Sequence, residues 1–446
     1  MLTAEKVALD LTYVRAQFPS LSQTVSGHPA AFLDGPGGTQ VPQRVIDAIS
    51  DYLRRDNANT GGAYATSRRT DAMIAEARGA MADFLHCAAD EVVFGPNMTT
   101  LTYAISRAIG RELKPGDEIV VTRLDHDANV SPWLQMAEDR GITVRWAEIH
   151  DENCTLDLAD LASKINENTK LVAVGYASNA VGTINPVKVI TKLAHAAGAL
   201  VCIDAVHYGP HGLIDVAALD CDFLACSTYK FFGPHMGVLF GKREHLKRFN
   251  PYKVRPNTNA IPNCWEWGTL NHECIAGITA CVEYIADLGR GLTNGTTEIG
   301  VPHPSRLSKG GNDAANASVI KSERRAAIEA AYAAIHDHER ALTERLIAGI
   351  KKIPGAKIYG ITEPARFNDR CGTFAVRIEG HTPLELATKL GERGFFTWDG
   401  NYYALNLSEH LDVEKSGGFL RIGLVHYNTL DEVDRLLAAL NEIVTN

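Results

Sequence analysis

The stretch LVCIDAVHYGPHGLIDVAALDCDFLACSTYKFFGPHMGVLF, residues 200–240, decides the fold. LVCID (200–204), DFLAC (222–226) and GVLF (237–240) are short apolar runs with no polar alternation. Hydrophobicity of that kind fits strands covered on both faces, as in a mainly parallel sheet with crossover helices. Lys230 stands between two of these runs, in CSTYKFFGPHMG. A charged amine desolvated there must lower its pKa or find a chemical partner.

The same kind of run recurs upstream at EVVF (91–94), EIVVT (118–122), TVRWAEI (143–149) and LVAVGY (171–176). Between most of them, apolar residues at three- and four-residue spacing predict helices. Ahead of the first strand, Thr39 is expected to cap a helix with Pro42 near its first turn and Val45, Ile46, Ile49 and Leu53 along one face. The rhythm stops near residue 289. GRGLTNGTTEIGVPHPSRLSKGGNDAANAS is rich in Gly, Ser, Thr, Asn and Pro and reads as a flexible insertion over 291–322. The expected organisation is a large α/β domain over 30–290 and a small α+β domain over 323–446, with 1–29 packing on the latter.

With 446 residues, 45% of them hydrophobic, the chain can bury a sizeable core. Its net charge of -9 and lack of a basic cluster argue against nucleic acid and anionic membrane as main partners. The nine cysteines form no C-x-x-C pair, which fits reduced thiols in a cytoplasm. The N-terminal residues lack an apolar signal core, and no apolar run is long enough to span a membrane.

Ligands of open α/β sheets bind at the carboxyl ends of the strands. Asp204 ends LVCID, Asn179 follows LVAVGY, His126 follows EIVVT, GPNMTT follows EVVF and opens a helix, and Lys230 follows DFLAC. Singly, each has an ordinary reading: a helix cap, a strand-to-helix turn, a structural histidine, a snorkelling lysine. Together they supply an anion site, an acid, an aromatic ring and an amine at one sheet edge. Pyridoxal phosphate needs that set: a lysine to hold it, a carboxylate facing the pyridinium nitrogen, and a phosphate cradle. A desolvated lysine with a lowered pKa is also the better nucleophile.

The stretches FLDGPGGT, GPNMTT, DHDANVSPW, SNAVGTINPV, IDAVHYGPHGLIDVAALDCDF, STYKFFGPHMG, EWGTLNHE and LRIGLVHYNT occur in an order that resembles the class V aminotransferase and cysteine desulfurase family. The resemblance runs over almost the whole chain and is nearest to the desulfurase-like branch. It implies the pyridoxal phosphate transferase fold type I and a homodimer. In that likeness Lys230 matches the Schiff-base lysine, Asp204 the pyridinium partner and His126 the histidine stacked on the cofactor ring. Asn179 matches the asparagine near the phenolic oxygen and the substrate carboxylate. Met98 (through its backbone), Thr99 and Ser227 match phosphate ligands. Thr269 matches a threonine reaching the phosphate from the other subunit, and Arg421 the clamp on the substrate α-carboxylate, a task that suits a bidentate fork.

The chain departs from the pattern at four places. His207 replaces a glutamine that touches the phenolic oxygen, Tyr229 a histidine before the lysine that helps hold the phosphate, and Tyr64 a histidine of the desulfurase motif. Most consequential, the loop that carries the desulfurases' nucleophilic cysteine reads FFTWDGNYYALNLSEHLDVEKSGG, without a cysteine. TWDGNYYAL is expected to shape the pocket wall, and Cys371 to be a small buried hydrophobe. Neither HDHE (336–339), taken as a solvated helix face, nor the pair His207 and His211 is expected to bind metal. The expected function is a pyridoxal phosphate enzyme acting on a small amino acid, a β-eliminating C–S lyase before an aminotransferase or epimerase. A cofactor-binding protein without turnover would have no need of a carboxylate clamp.

Overall fold

The computed structural model describes residues 8–294 and 322–445. Seven strands form one sheet: β1 (Val92–Gly95), β2 (Glu118–Thr122), β3 (Thr143–Ala147), β4 (Thr169–Gly175), β5 (Leu200–Asp204), β6 (Phe223–Ser227) and β7 (Gly237–Gly241). Their order is β1-β7-β6-β5-β4-β2-β3. The run from β3 to β6 is parallel, and β7 lies antiparallel to both of its neighbours. TVRWAEI stops short as a strand at Ala147, because Glu148 turns its N–H to the Asp160 carboxylate at 2.9 Å.

The lack of alternation has a direct cause. Val120, Val172, Val201, Ile203, Leu224 and Val238 pack into one core, and their strand neighbours Ile119, Leu171, Cys202, Phe223, Ala225 and Leu239 into another. Both faces are buried, so every position selects an apolar side chain, each worth about 1.5–3 kcal/mol for a fully buried Val, Leu, Ile or Phe.

A second, antiparallel sheet contains β8 (Ala356–Tyr359), β9 (Thr373–Ile378), β10 (Trp398–Gly400) and β11 (Phe419–Gly423), in the order β8-β9-β11-β10. The chain also forms helices α1 (Gln43–Arg55), α2 (Met98–Gly110), α3 (His272–Asn294), α4 (Glu323–Ile350) and α5 (Leu430–Thr445). Leu342, Leu346 and Ile350 of α4 and Leu436 and Leu440 of α5 cover Phe374, Val376, Leu420 and Ile422 of the small sheet. At the α3–α4 crossing, a Cβ on Gly289 would sit 1.8 Å from the Ala327 carbonyl oxygen, so only glycine allows that approach.

Three expectations need amendment. Thr39 does not cap α1, whose N-cap position is Pro42. Its hydroxyl instead donates to the Tyr229 carbonyl (3.2 Å) and accepts from the Phe232 N–H (2.8 Å), tying its loop to the turn that carries Lys230. On α1 only Val45 of the four apolar residues is fully buried; Ile46 and Leu53 are exposed. Helix α3 runs through Asn294, four residues into the expected insertion, and residues 295–321 lie outside the described residues. The N-terminal segment reaches α5 through an Arg15–Glu432 ion pair (2.9 Å) and α3 through the edge of Phe18 on Tyr284. No described helix is long and apolar enough to cross a membrane.

Candidate active site

The carboxyl ends of β2, β4, β5 and β6 open onto a cavity of about 530 Å³. Met98, Thr99, His126, Asn179, Asp204, His207, Ser227, Tyr229, Lys230 and Arg421 all line it. The sheet brings these residues together because successive parallel strands end at one edge. Asp204 sits in register with Gly175 on one side and Ala225 on the other.

Lys230 closes a single 3-10 turn, Thr228–Lys230, directly after β6. Its Nζ donates to the Pro36 carbonyl and lies 4.7 Å from the centre of the Tyr229 ring. Burial, and then the Arg421 charge, lower its pKa to about 7, so about half of the amine is neutral at neutral pH. Asp204 receives one N–H, from Val206 at 2.9 Å. Burial raises its carboxyl to about 6 against the pull of that bond and of Lys230.

His126 accepts the Ala128 N–H on Nδ1 at 3.0 Å. That bond orients the ring, which stacks on Tyr403 at 5.5 Å between centroids and 23° between planes. Burial, with Lys230 and Arg421 nearby, lowers its pKa to about 4, so it is uncharged at neutral pH. Behind it, Asp125 takes bonds from Thr122 Oγ1 (2.9 Å), Asn129 Nδ2 (2.8 Å) and the Gly175 N–H (2.9 Å).

The anion end lies at the start of α2. Asn97 caps it by accepting from the Thr100 N–H (2.8 Å), and the Met98 N–H donates to Ser227 Oγ (3.1 Å). The remaining first-turn N–H, that of Thr99, and the positive end of the helix dipole make this a place for a phosphate. Gly237 presses on it from β7: a Cβ there would meet the Asn97 carbonyl carbon at 2.3 Å.

The opposite wall comes from the small sheet. Arg421, in the middle of β11, is buried, donates to the Asn179 carbonyl (3.1 Å) and lies 4.1 Å from the centre of the Tyr402 ring. Burial lowers its pKa to about 10, which leaves it cationic. TWDGNYYAL supplies Trp398, Tyr402 and Tyr403 to the wall. Tyr402 and Tyr403 both adopt positive φ, 55° and 61°, which costs non-glycine residues on the order of 1–3 kcal/mol each. The conformation is held by Asn179 Nδ2 on the Tyr402 carbonyl (2.9 Å) and the Asp127 N–H on the Tyr403 carbonyl (2.7 Å).

Thr269 lies apart. It lines a separate cavity of about 320 Å³ with Gly95, Pro96, Thr100, His235 and Trp267. Tyr64 is exposed and does not line the main cavity. Two acids were not singled out from the sequence. Asp34, within FLDGPGGT, is raised to about 6 by burial, and the Arg421 and Lys230 charges act on it; Asp125, within DHDANVSPW, lines the cavity. Their signal was their place in those motifs.

The family profile for class-V aminotransferases matches residues 31–293 and 301–436. A cysteine desulfurase of Dickeya dadantii is 33% identical over 442 residues, with 96% of each chain covered. One from Serratia proteamaculans is 32% identical over 446 residues, covering 96% of this chain and 97% of its own. The solved structure of a cysteine desulfurase from Thermococcus onnurineus superposes with a TM-score of 0.82 at 24% identity, covering 98% of this chain and 99% of that one, a likeness of fold.

Proposed function

Because the chain belongs to the class-V aminotransferase family and is a pyridoxal phosphate-dependent enzyme acting on an amino acid, we propose that it is a β-eliminating C–S lyase that parks no sulfur on its own cysteines. The observation that carries this reading is the composition of the cavity wall. None of the nine cysteines lines the cavity; eight are buried and Cys274 is half-buried. Burial raises the thiols of Cys202, Cys226, Cys281 and Cys371 well away from the thiolate range. A persulfide route needs an exposed, low-pKa thiolate.

The donor set fits the cofactor. A neutral amine, an under-partnered carboxylate, a helix start with a serine hydroxyl, and a neutral stacked histidine surround one space. Asn179 Oδ1 and Arg421 Nε are buried there without hydrogen-bond partners. Lys230 would hold the cofactor, Asp204 its ring nitrogen, and Met98, Thr99 and Ser227 its phosphate. His126 would cover its ring face, with His207 and Tyr229 at the rim. The bound cofactor supplies an electron sink for charge left at the substrate Cα.

Arg421 would grip the substrate carboxylate with Asn179 beside it, which fixes the Cα–H bond relative to Lys230. The Lys230 amine would take the Cα proton, a task suited to a base with a pKa of about 7. Ionised Asp204 would balance the charge on the ring nitrogen. Trp398, Tyr402 and Tyr403 would restrict water at the mouth. The same reading includes a cofactor-binding body over 30–290 and a smaller one over 323–446. It also includes a homodimer in which Thr269 serves the partner's site, supported by its position outside this chain's own cavity, and a reducing cytoplasm, supported by nine unpaired cysteines. Product analysis tests the reaction: equal ammonia and pyruvate from an S-conjugated amino acid are expected. Keto acid formed only with an amine acceptor would make it an aminotransferase, and loss of optical purity alone an epimerase.

A further inference from the structure

His207 and His211 follow the carboxyl end of β5, and Cys371 precedes β9, so the large and small sheets both contribute to one buried cluster. One ligand atom from each of the three lies within 4.8 Å of the others. Their exposures are 4%, 5% and 3%, so the cluster is buried. The Nε2 atoms of both histidines are buried without a hydrogen-bond partner. On the far side of His211, Nδ1 lies 2.7 Å from Glu339 Oε2, a contact in which a carboxylate accepts from Nδ1–H, and Nε2 is the nitrogen left for the cluster. Unpartnered buried polar atoms are costly and uncommon.

HDHE is therefore only in part a solvated face: His336 is exposed, but Glu339 points inward from α4 and is buried. Arg370 adds a charge beside Cys371. Its guanidinium has no carboxylate partner among the described residues and donates to the carbonyls of Ile361, Thr373 and Cys371. A cavity of about 350 Å³, lined by His211, Cys371, Glu339, Tyr208 and His336, gives access to the cluster and room for a water.

We propose that His207, His211 and Cys371 bind one divalent cation of the zinc class, with a water in the fourth position and Glu339 as the outer carboxylate that orients His211. Two imidazoles and a thiolate are the ligands such a cation prefers, and a carboxylate on the far nitrogen of a ligating histidine is the usual outer partner. Tetrahedral bonds of about 2.0–2.1 Å to nitrogen and about 2.3 Å to sulfur put ligand atoms roughly 3.3–3.6 Å apart, within reach of small side-chain rotations. Cys371 would release its thiol proton on binding. The cation joins the end of β5 to the start of β9 and fixes His207 in the wall of the main cavity. The pair His207 and His211 alone offers two ligands; the fold supplies the third from a distant strand.

The test is cobalt titration of the chelator-stripped, pyridoxal phosphate-loaded full chain, which needs no turnover and so stands apart from the lyase reading. One equivalent per chain is expected, with the intense visible d–d bands of four-coordinate cobalt, to the red of cofactor absorption, displaced by one equivalent of zinc. Glu339→Gln should keep the bands and weaken binding by about tenfold to a hundredfold. Cys371→Ser and His211→Gln should each lose the stoichiometric site. No stoichiometric four-coordinate cobalt in the wild-type chain overturns the proposal, whatever the variants do. So does wild-type affinity in both Cys371→Ser and His211→Gln.

Discussion

Asp204 and Asp222 are two buried aspartates of the same sheet, held in opposite ways. Asp222 precedes β6 and is saturated. It accepts the Val201 N–H (2.8 Å), His195 Nε2 (2.9 Å) and His245 Nε2 (2.9 Å), with Lys242 Nζ at 3.3 Å. Burial alone would raise its pKa; the two histidine bonds, the backbone bond and the lysine charge hold it far below the usual carboxylate range. Asp204, at the carboxyl end of β5, has one backbone bond and is raised to about 6. One end of the sheet has completed its charge pairing. The other leaves an acid, an amine and a guanidinium short of partners, which is the state that a bound charged ligand completes. An incompletely paired buried charge marks the functional edge better than a buried charge does.

Substitution at the two aspartates should separate function from stability. Asp204→Asn should slow turnover about a hundredfold or more while thermal stability changes little, since the lost group is a developing-charge partner. Steady-state rates with melting curves check this, and near-normal turnover would move the role elsewhere. Asp222→Asn should do the reverse. It should cost about 3–5 kcal/mol in denaturant unfolding, because four groups gathered on one carboxylate lose its charge, and leave the rate per folded molecule unchanged. The pH dependence has a definite sign. The folded pKa of Asp222 is depressed, so its contribution to stability is present above the unfolded aspartate value of about 3.9 and is lost as pH falls toward the folded value. Acid unfolding of Asp222→Asn should therefore begin from a lower baseline and show a shallower pH slope.

A smaller effect is expected at the clamp. Arg421→Lys keeps a charge but loses the fork, so KM should rise about tenfold with the cofactor spectrum unchanged; an unchanged KM would make Arg421 structural. Smallest of all is a pH effect on cofactor uptake. Lys230 reacts as the neutral amine and its pKa is lowered to about 7, so the rate of capture should climb with pH up to about 7 and level off above it. A rate that keeps climbing toward pH 10 would mean that the lysine is unperturbed.

The strands and the cavity were legible because two physical constraints write directly into sequence. A strand covered on both faces must be apolar throughout, as LVCID and DFLAC are, and parallel strands end at one edge, where Asp204, Asn179, His126 and Lys230 gather. What was not legible depends on contacts between distant segments. Thr39 looks like a helix cap until the fold sets it against the Lys230 turn. Glu339 looks solvated from its charged neighbours until His211 meets it. Asp34 and Asp125 sit in recognisable motifs, yet their weight comes from Arg421 and Lys230 in one case and from three converging donors in the other. The left-handed pair Tyr402 and Tyr403 carries no glycine or asparagine to announce it.

The account rests on Lys230 being the neutral, under-partnered amine that takes up the cofactor. Borohydride reduction of the loaded protein followed by peptide mass mapping tests that most directly. The account predicts one reduced pyridoxyl group per chain, on Lys230, and none retained by Lys230→Ala. Stoichiometric label on another lysine, or a folded protein that takes up no pyridoxal phosphate, would contradict it.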